Sequence, residues 1–453
     1  MKNWFAEYRM KVISAEEAVQ KIKSDMEVVV SATSEPRDIM EKFETVEDGV
    51  SNVKVFSFLT VNPYEAFVNP AKSGQFEMCS WFHGACARAG MAARSGCISY
   101  VPNMLHNAAI DFLETRIPNI FFGTCTPPDK HGFVSLGLGA MYEKDMVEAA
   151  EVVILEVNEG LPRVFGDTAV HINDVHFFVE SGRGLLPLPK KDPDETDLVI
   201  GNYIAELVPD GATIQLGIGG IPNAVSLSLE KKRDLGVHTE MLVDSMKHLY
   251  EIGVITNKKK ALHKDKFVCA FMFGSQELYD WTDNNVAVSV LRARYVNDPA
   301  VIRQNSKMTS INTCFMVDLT GQVFSESIGT HQYSGTGGQF DTAVGAREGL
   351  DGLGKSIIAC RSTAKSGKIS RIVSVAPQGT PVTLQRGVSD YIVTEHGVAW
   401  LRGKTVRERT ESLISIAHPD FREQLKEEAQ RMGYMEMPTQ GPSYQPLSVR
   451  ASK

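Results

Sequence analysis

Residues 213–222 read TIQLGIGGIP, a run of strand formers that breaks into three glycines within four residues and then a proline. A strand ending in a glycine turn before a proline-started helix is the joint of an α/β fold. Glycines admit a ligand close to the backbone and aim N–H groups at developing negative charge. Downstream, GVHTEM (236–241) carries one carboxylate, Glu240. If that segment is extended, His238 and Glu240 share one face and Val237, Thr239 and Met241 the other. The helix-like SMKHLYEIG follows, so Glu240 falls at the carboxyl end of a strand, where open α/β sheets bind ligands. A carboxylate ionised at neutral pH serves directly as a nucleophile. Together these features point to acyl chemistry at one glutamate. Taken singly, the loop reads equally as a tight turn, and Glu240 is one acid among 55.

Strand and helix signals alternate along the rest of the chain. Ser14 to Ile22 is amphipathic with an S-x-x-E capping signal, and Val28 to Val30 reads as a buried strand. Further apolar runs stand at 152–157, 212–218, 286–291 and 356–360. This alternation predicts a mainly parallel α/β sheet, and 453 residues call for two domains or one large duplicated α/β body. RGLLPLPKKDPDETD (183–197), with three prolines, marks a linker. The expected domains are 1–190 and 191–437, with a loose polar tail at 438–453. The halves open alike: SDMEVVVSATSEP (24–36) matches PDGATIQLGIGGIP (209–222), and Ser31 to Pro36 has the spacing of Gly217 to Pro222. That argues for a duplicated domain. The first copy has Ser31, Thr33 and Ser34 where the second has glycines, so the second is the better anion loop.

A net charge of −8 and 43% hydrophobic residues fit a water-soluble globular chain and argue against bulk binding of nucleic acid or anionic membrane. The seven cysteines are scattered and form no CxxC, which favours a reducing cytoplasm over a disulfide framework. No apolar leader or membrane-length run is visible. The histidines show no metal spacing, so no metal is expected.

GLDGLGKS (349–356) matches a phosphate loop, but a helix-like segment precedes it and a strand-like one follows, the reverse of what that loop requires. It reads as a helix-to-strand turn. GIGGIP has proline where a dinucleotide fingerprint needs glycine or alanine. No G-x-S-x-G elbow exists. YSGTGGQFD (333–341), with three glycines in four residues, reads as a ligand-facing loop or a surface turn.

QLGIGGIPNAV, GVHTEM, FGSQELYDWTDNN, YVNDPAVIRQNSKMTSIN, DLTGQVFSESIG, YSGTGGQFD and TEHGVAWLRGKT, with PPDKHGFVSLG and VNEGLPRVFGD in the first half, resemble the acetyl-CoA hydrolase/transferase family. Within it, the 4-hydroxybutyrate and butyrate:acetate CoA-transferases are the nearest likeness. The resemblance implies a CoA-transferase acting on a short-chain acyl-CoA and acetate, by ping-pong transfer through a glutamyl-CoA thioester. It also implies two similar open α/β domains with mainly parallel sheets, a site between them, a homodimer, and coenzyme A as substrate rather than resident cofactor. Carried over by motif, Glu240 is the nucleophile and Gly217, Ile218, Gly219, Gly220 and Ile221 form the oxyanion loop. Gly337 and Gly338 serve the thioester site, with Asn305 and Asn312 nearby. Acyl-CoA hydrolysis and non-catalytic CoA binding are the alternatives on this fold. The glycine-poor SATSEP loop and Trp400, where an acid is common, depart from the pattern and are expected to reshape the acyl pocket.

Overall fold

The computed structural model describes residues 3–188 and 192–436. Two parallel sheets dominate it. In the first, the spatial order of strands is Phe177–Ser181, Val152–Asn158, Ile120–Cys125, Glu27–Val30, Val53–Phe58, Phe76–Phe82 and Ile98–Tyr100. In the second, Tyr391–Thr394, Lys355–Ala359, Thr309–Thr313, Thr213–Leu216, Gly236–Leu242, Phe267–Met272 and Val288–Val290 lie in that order. The winding is the same in both. The first strand of each is central, the next three step to one side, and the last three step to the other. This shared topology is what the repeated opening segments predict.

Two edge strands break the pattern. Gly397–Trp400 pairs antiparallel with Tyr391–Thr394, and the short Phe165–Gly166, from the first half of the chain, pairs with Val288–Val290. One hydrophobic cluster runs through both sheets, from Phe56, Phe58 and Phe121 to Phe271 and Ile311. Strands such as Phe267–Met272 are buried on both faces, as helix-covered parallel sheets require.

Several boundaries differ from the sequence expectation for local reasons. The strand expected at 212–218 ends at Leu216, because Gly219 takes φ +120°, a conformation closed to residues with a Cβ. The following helix, Gly220–Leu229, starts before Pro222; the proline sits in the first turn, where a missing N–H costs nothing. The Ser14/Glu17 capping box forms both bonds, at 2.8 and 3.1 Å, but its helix is only Ala15–Val19. The end of the 183–197 linker is helical: Asp194 accepts from the Asp197 N–H at 3.1 Å and caps Glu195–Leu207. Residues 189–191 and the expected tail at 438–453 lie outside the described residues. GLDGLGKS is a helix-to-strand turn between Gln339–Arg347 and Lys355–Ala359. Among the described residues, no helix is long and apolar enough to cross a membrane.

Candidate active site

Each sheet reverses its strand order beside its first strand, and such a switch point opens a crevice at the carboxyl ends of the strands. In the second sheet the switch falls between Thr213–Leu216 and Thr309–Thr313. Gly217 follows the first of these strands, Asn312 lies near the end of the second, and Glu240 lies near the end of the neighbouring Gly236–Leu242. The fold therefore delivers all three to one crevice.

A cavity of about 350 Å³ fills it. Glu240, Gly217, Ile218, Asn312, Gly337 and Gly338 all line this cavity. Gly219, Gly220 and Ile221 line an adjoining groove of about 760 Å³. The two spaces share Ile218, Pro222, Thr313, Phe315 and Ser325. Asn305 lines neither. It precedes the amino end of Thr309–Thr313, opposite Asn312, and is buried with its amide donating to the Ile302 carbonyl at 3.2 Å. Trp400 does not reach the cavity either. The antiparallel hairpin turns it back to pair with Tyr391, on which it stacks with ring centroids 6.1 Å apart.

The walls around Glu240 are apolar and come from both halves of the chain. Phe58, Leu59 and Phe82 arrive from the first sheet, Met241, Phe271 and Ile311 from the second. Phe58 packs against Phe82 at 5.2 Å and Phe271 at 6.3 Å. Two donors meet the carboxylate. The Asn297 amide donates to Oε2 at 3.1 Å, and the Gly338 N–H, at the start of Gln339–Arg347, also bonds it. On the same strand face, His238 bonds the Val296 carbonyl at 2.8 Å, next to Asn297. The side chain of Gln339 bonds the Thr313 carbonyl, and Asn312 bonds Thr342 at 3.1 Å, so the loop and helix carrying Gly337 and Gly338 are tied to the switch-point strand.

Burial pushes the Glu240 carboxyl up to about 7; the Asn297 and Gly338 bonds pull the other way and Asp341 adds repulsion. An ordinary carboxylate would be fully ionised at neutral pH, so the apolar walls make this group hold its proton more tightly than sequence reasoning assumed. The consequence for stability has a definite sign. A folded-state pKa raised from 4.5 to about 7 favours the protonated native state. That contribution is complete below the unfolded pKa and is lost as pH rises through the folded one. Glu240→Gln should therefore melt a few degrees above the wild type at about pH 8 and beyond, with the gap closing toward about pH 5. Thermal melts across that range check it.

The first-half counterpart of the glycine loop is closed. The Ser31 hydroxyl donates to the Ser34 carbonyl at 2.9 Å, and the Ala32 N–H is taken by buried Glu143 at 3.0 Å. In the second half the loop faces open space: a Cβ at Gly217 would meet nothing within 4 Å.

Sequence reasoning missed Asn297, Phe58 and Phe82. Asn297 lay inside the quoted YVNDP segment and carried a family signal; the two phenylalanines had none, since only the packing of one sheet on the other brings them here. Chemically, the arrangement is a half-buried carboxylate held by two N–H donors beside a glycine loop at a helix N-terminus. It suits attack on an acyl carbon with an oxyanion held by backbone N–H groups.

Family models match the chain over residues 1–188, as an acetyl-CoA hydrolase/transferase N-terminal domain, and over 274–429, as the corresponding C-terminal domain. A 4-hydroxybutyrate coenzyme A transferase from Clostridium kluyveri is 42% identical over 94% of this chain and 98% of its own length. Among solved structures, RipA from Yersinia pestis superposes with a TM-score of 0.90 at 34% identity, covering 96% of this chain and 100% of that one. A 4-hydroxybutyrate CoA-transferase from Porphyromonas gingivalis gives 0.78 at 34% identity, over 95% and 100%. With both of its domain models matched in order and a relative aligned over nearly its full length, the chain belongs to the acetyl-CoA hydrolase/transferase family.

Proposed function

We propose that this protein is an acyl-CoA:carboxylate CoA-transferase that exchanges CoA between a short-chain acyl-CoA, butyryl- or 4-hydroxybutyryl-CoA among them, and acetate. The observation that carries this reading is Glu240, a half-buried carboxylate facing a small, largely apolar cavity with donors from Asn297 and Gly338. The Glu240 carboxylate attacks the acyl-CoA carbonyl and expels CoA thiolate, leaving an acyl-glutamyl anhydride. The thiolate attacks the glutamyl carbonyl, the bond from that carbon to the bridging oxygen breaks, and the first acid departs as its carboxylate carrying that oxygen. The enzyme is left as a glutamyl-CoA thioester, and acetate then reverses both steps.

Each addition creates an oxyanion, and the N–H groups of the Gly217–Ile221 loop are the donors suited to hold it; one such donor is worth about 3–4 kcal/mol. A cavity of about 350 Å³ admits a short acyl chain with the thioester. The adjoining groove, where Arg361 pairs with Asp194 and Asp197 while Lys365 and Arg371 stand on the wall, is the space that would take the anionic carrier. Binding the carrier there supplies energy for positioning at the reacting carbon. The 4-hydroxybutyrate coenzyme A transferase relative supports this substrate class. The reading includes a homodimer in the cytoplasm and no resident cofactor.

Protein quenched during turnover with butyryl-CoA should carry CoA covalently on the peptide containing Glu240, as seen by mass spectrometry. Borohydride added at that point should inactivate it by reducing the thioester. CoA exchange should depend on acetate. An adduct on a cysteine, or CoA release at one rate with and without acceptor, would replace this reading with hydrolysis or another chemistry.

A further inference from the structure

The loop and helix that present the Gly338 N–H to Glu240 belong to the second half of the chain, but the first half holds them in place. The His83 N–H donates to the Ser334 carbonyl at 3.3 Å and the Arg88 guanidinium to the Tyr333 carbonyl at 3.1 Å. The Thr336 N–H donates to the Tyr100 hydroxyl at 3.2 Å, and the Leu105 N–H to the Gly337 carbonyl at 3.3 Å. The series ends on His106. Its backbone N–H donates to Asp341 Oδ2 at 3.1 Å, and its ring Nδ1 meets Asp341 Oδ1 at 2.8 Å.

Asp341 sits in the first turn of Gln339–Arg347, three residues after Gly338, and its side chain is fully buried. It is also the carboxylate whose charge opposes ionisation of Glu240. A fully buried acid beside a half-buried one is costly unless a cation faces it. His106 supplies that face. Besides Asp341, the carboxylates of Asp298 and Asp111 bear on its ring. Burial alone would lower the pKa of His106, yet the bond to Asp341 and these carboxylates raise it overall.

We propose that His106 and Asp341 are a charge-compensating positioning pair for Glu240, through which the first half of the chain sets the field and the hydrogen bond that the reacting carboxylate experiences. The proposal rests on Glu240 being the reacting group. The imidazolium offsets part of the repulsion from Asp341, while the two-pronged contact fixes Asp341 and hence the helix start at Gly338. Neither residue lines the cavity that Glu240 faces.

The test compares His106→Gln, Asp341→Asn and the double variant with the wild type, in pH profiles of kcat/KM for butyryl-CoA and acetate. Gln at 106 keeps a donor for Asp341 but removes the positive charge, so the acidic limb should move up by about one pH unit. Asn at 341 removes the repelling charge, so the limb should move down by about as much. The double variant should follow Asp341→Asn, because the charge that His106 compensates is then absent. Well above the limb, His106→Gln should retain a rate within about threefold of the wild type, with KM for acetate unchanged.

A second readout needs no catalysis. The pH at which Glu240→Gln begins to out-melt its parent reports ionisation of Glu240, and it should shift in the same opposite directions in the two backgrounds. Limbs and melting midpoints that stay in place, or that move together in both variants, would reduce the pair to a structural contact and overturn the proposal. If no form of the protein exchanges CoA, the transferase reading fails, and the melting midpoints still decide whether the pair governs Glu240.

Discussion

Glu240→Gln is expected to abolish CoA exchange, with kcat/KM falling by about 10⁴-fold or more, as when an enzyme loses the atom that forms its covalent intermediate. Gln preserves the shape of the side chain and a carbonyl oxygen able to accept from Asn297 and Gly338. Its amide, however, is a poor nucleophile and yields no anhydride with an acyl-CoA. Binding of the carrier should survive, since the groove lined by Arg361, Lys365 and Arg371 lies beyond Ile218 and does not include residue 240. The expected signature is therefore loss of turnover with a dissociation constant for CoA within about threefold of the wild type by calorimetry. Alanine should be equally inactive, and less informative, because it also leaves the Asn297 amide and the Gly338 N–H without their acceptor. Retention of more than about 1% of wild-type exchange in Glu240→Gln would remove the carboxylate from the mechanism.

That Glu240 lines the crevice was legible in the sequence, for reasons that concern what sequence records well. Runs such as VVILEV and SIIAC are legible because a strand buried on both faces has little alternative to continuous apolar residues. The repeated opening segments foretold two sheets wound alike for the same reason. Glu240 was legible because a strand, a glycine turn and a carboxylate are neighbours in one short stretch. Asn297 was harder, since its amide reaches Oε2 across 57 residues and only the end of Ala293–Val296 aims it there. Phe58 and Phe82 were not legible at all. Their contribution to the site, and the raised pKa that results from it, depends on one sheet packing against the other. Trp400 was misjudged on similar grounds: its place in a family motif gave no hint that a hairpin carries it to the opposite end of the sheet. Asn305 shows the converse, since its closeness to Asn312 in sequence spans the length of a strand.

Gly338→Ala is expected to cost about 10²- to 10³-fold in kcat/KM while leaving the fold intact, a loss comparable to removing an oxyanion donor. The reasoning separates backbone strain from side-chain space. Gly338 has φ −94° and ψ 11°, the bridge region that alanine can enter as it does in type I turns, so the helix start should form as before. The added Cβ, however, would overlap Glu240 Oε2 and the Asn297 amide nitrogen. Neither neighbour can yield freely. Glu240 stands on a strand paired on both sides, Asn297 is buried, and the helix beginning at Gly338 is anchored by His106 through Asp341. The carboxylate must rotate away, losing the Asn297 bond and its aim at the acyl carbon, where errors near half an ångström already matter. Gly337→Ala makes the discriminating control. Its φ of +53° imposes strain of roughly 1 kcal/mol, but its Cβ would lie 3.2 Å from Phe82 and 3.9 Å from Glu240 Oε1, against a ring and a carboxylate tip that can shift slightly. Residue 337 should therefore lower the melting temperature more than the rate, and residue 338 the rate more than the melting temperature. If Gly338→Ala kept activity within about threefold of the wild type, Glu240 would not be held by this loop during the reaction, and the contacts that define the site would have to reorganise before chemistry begins.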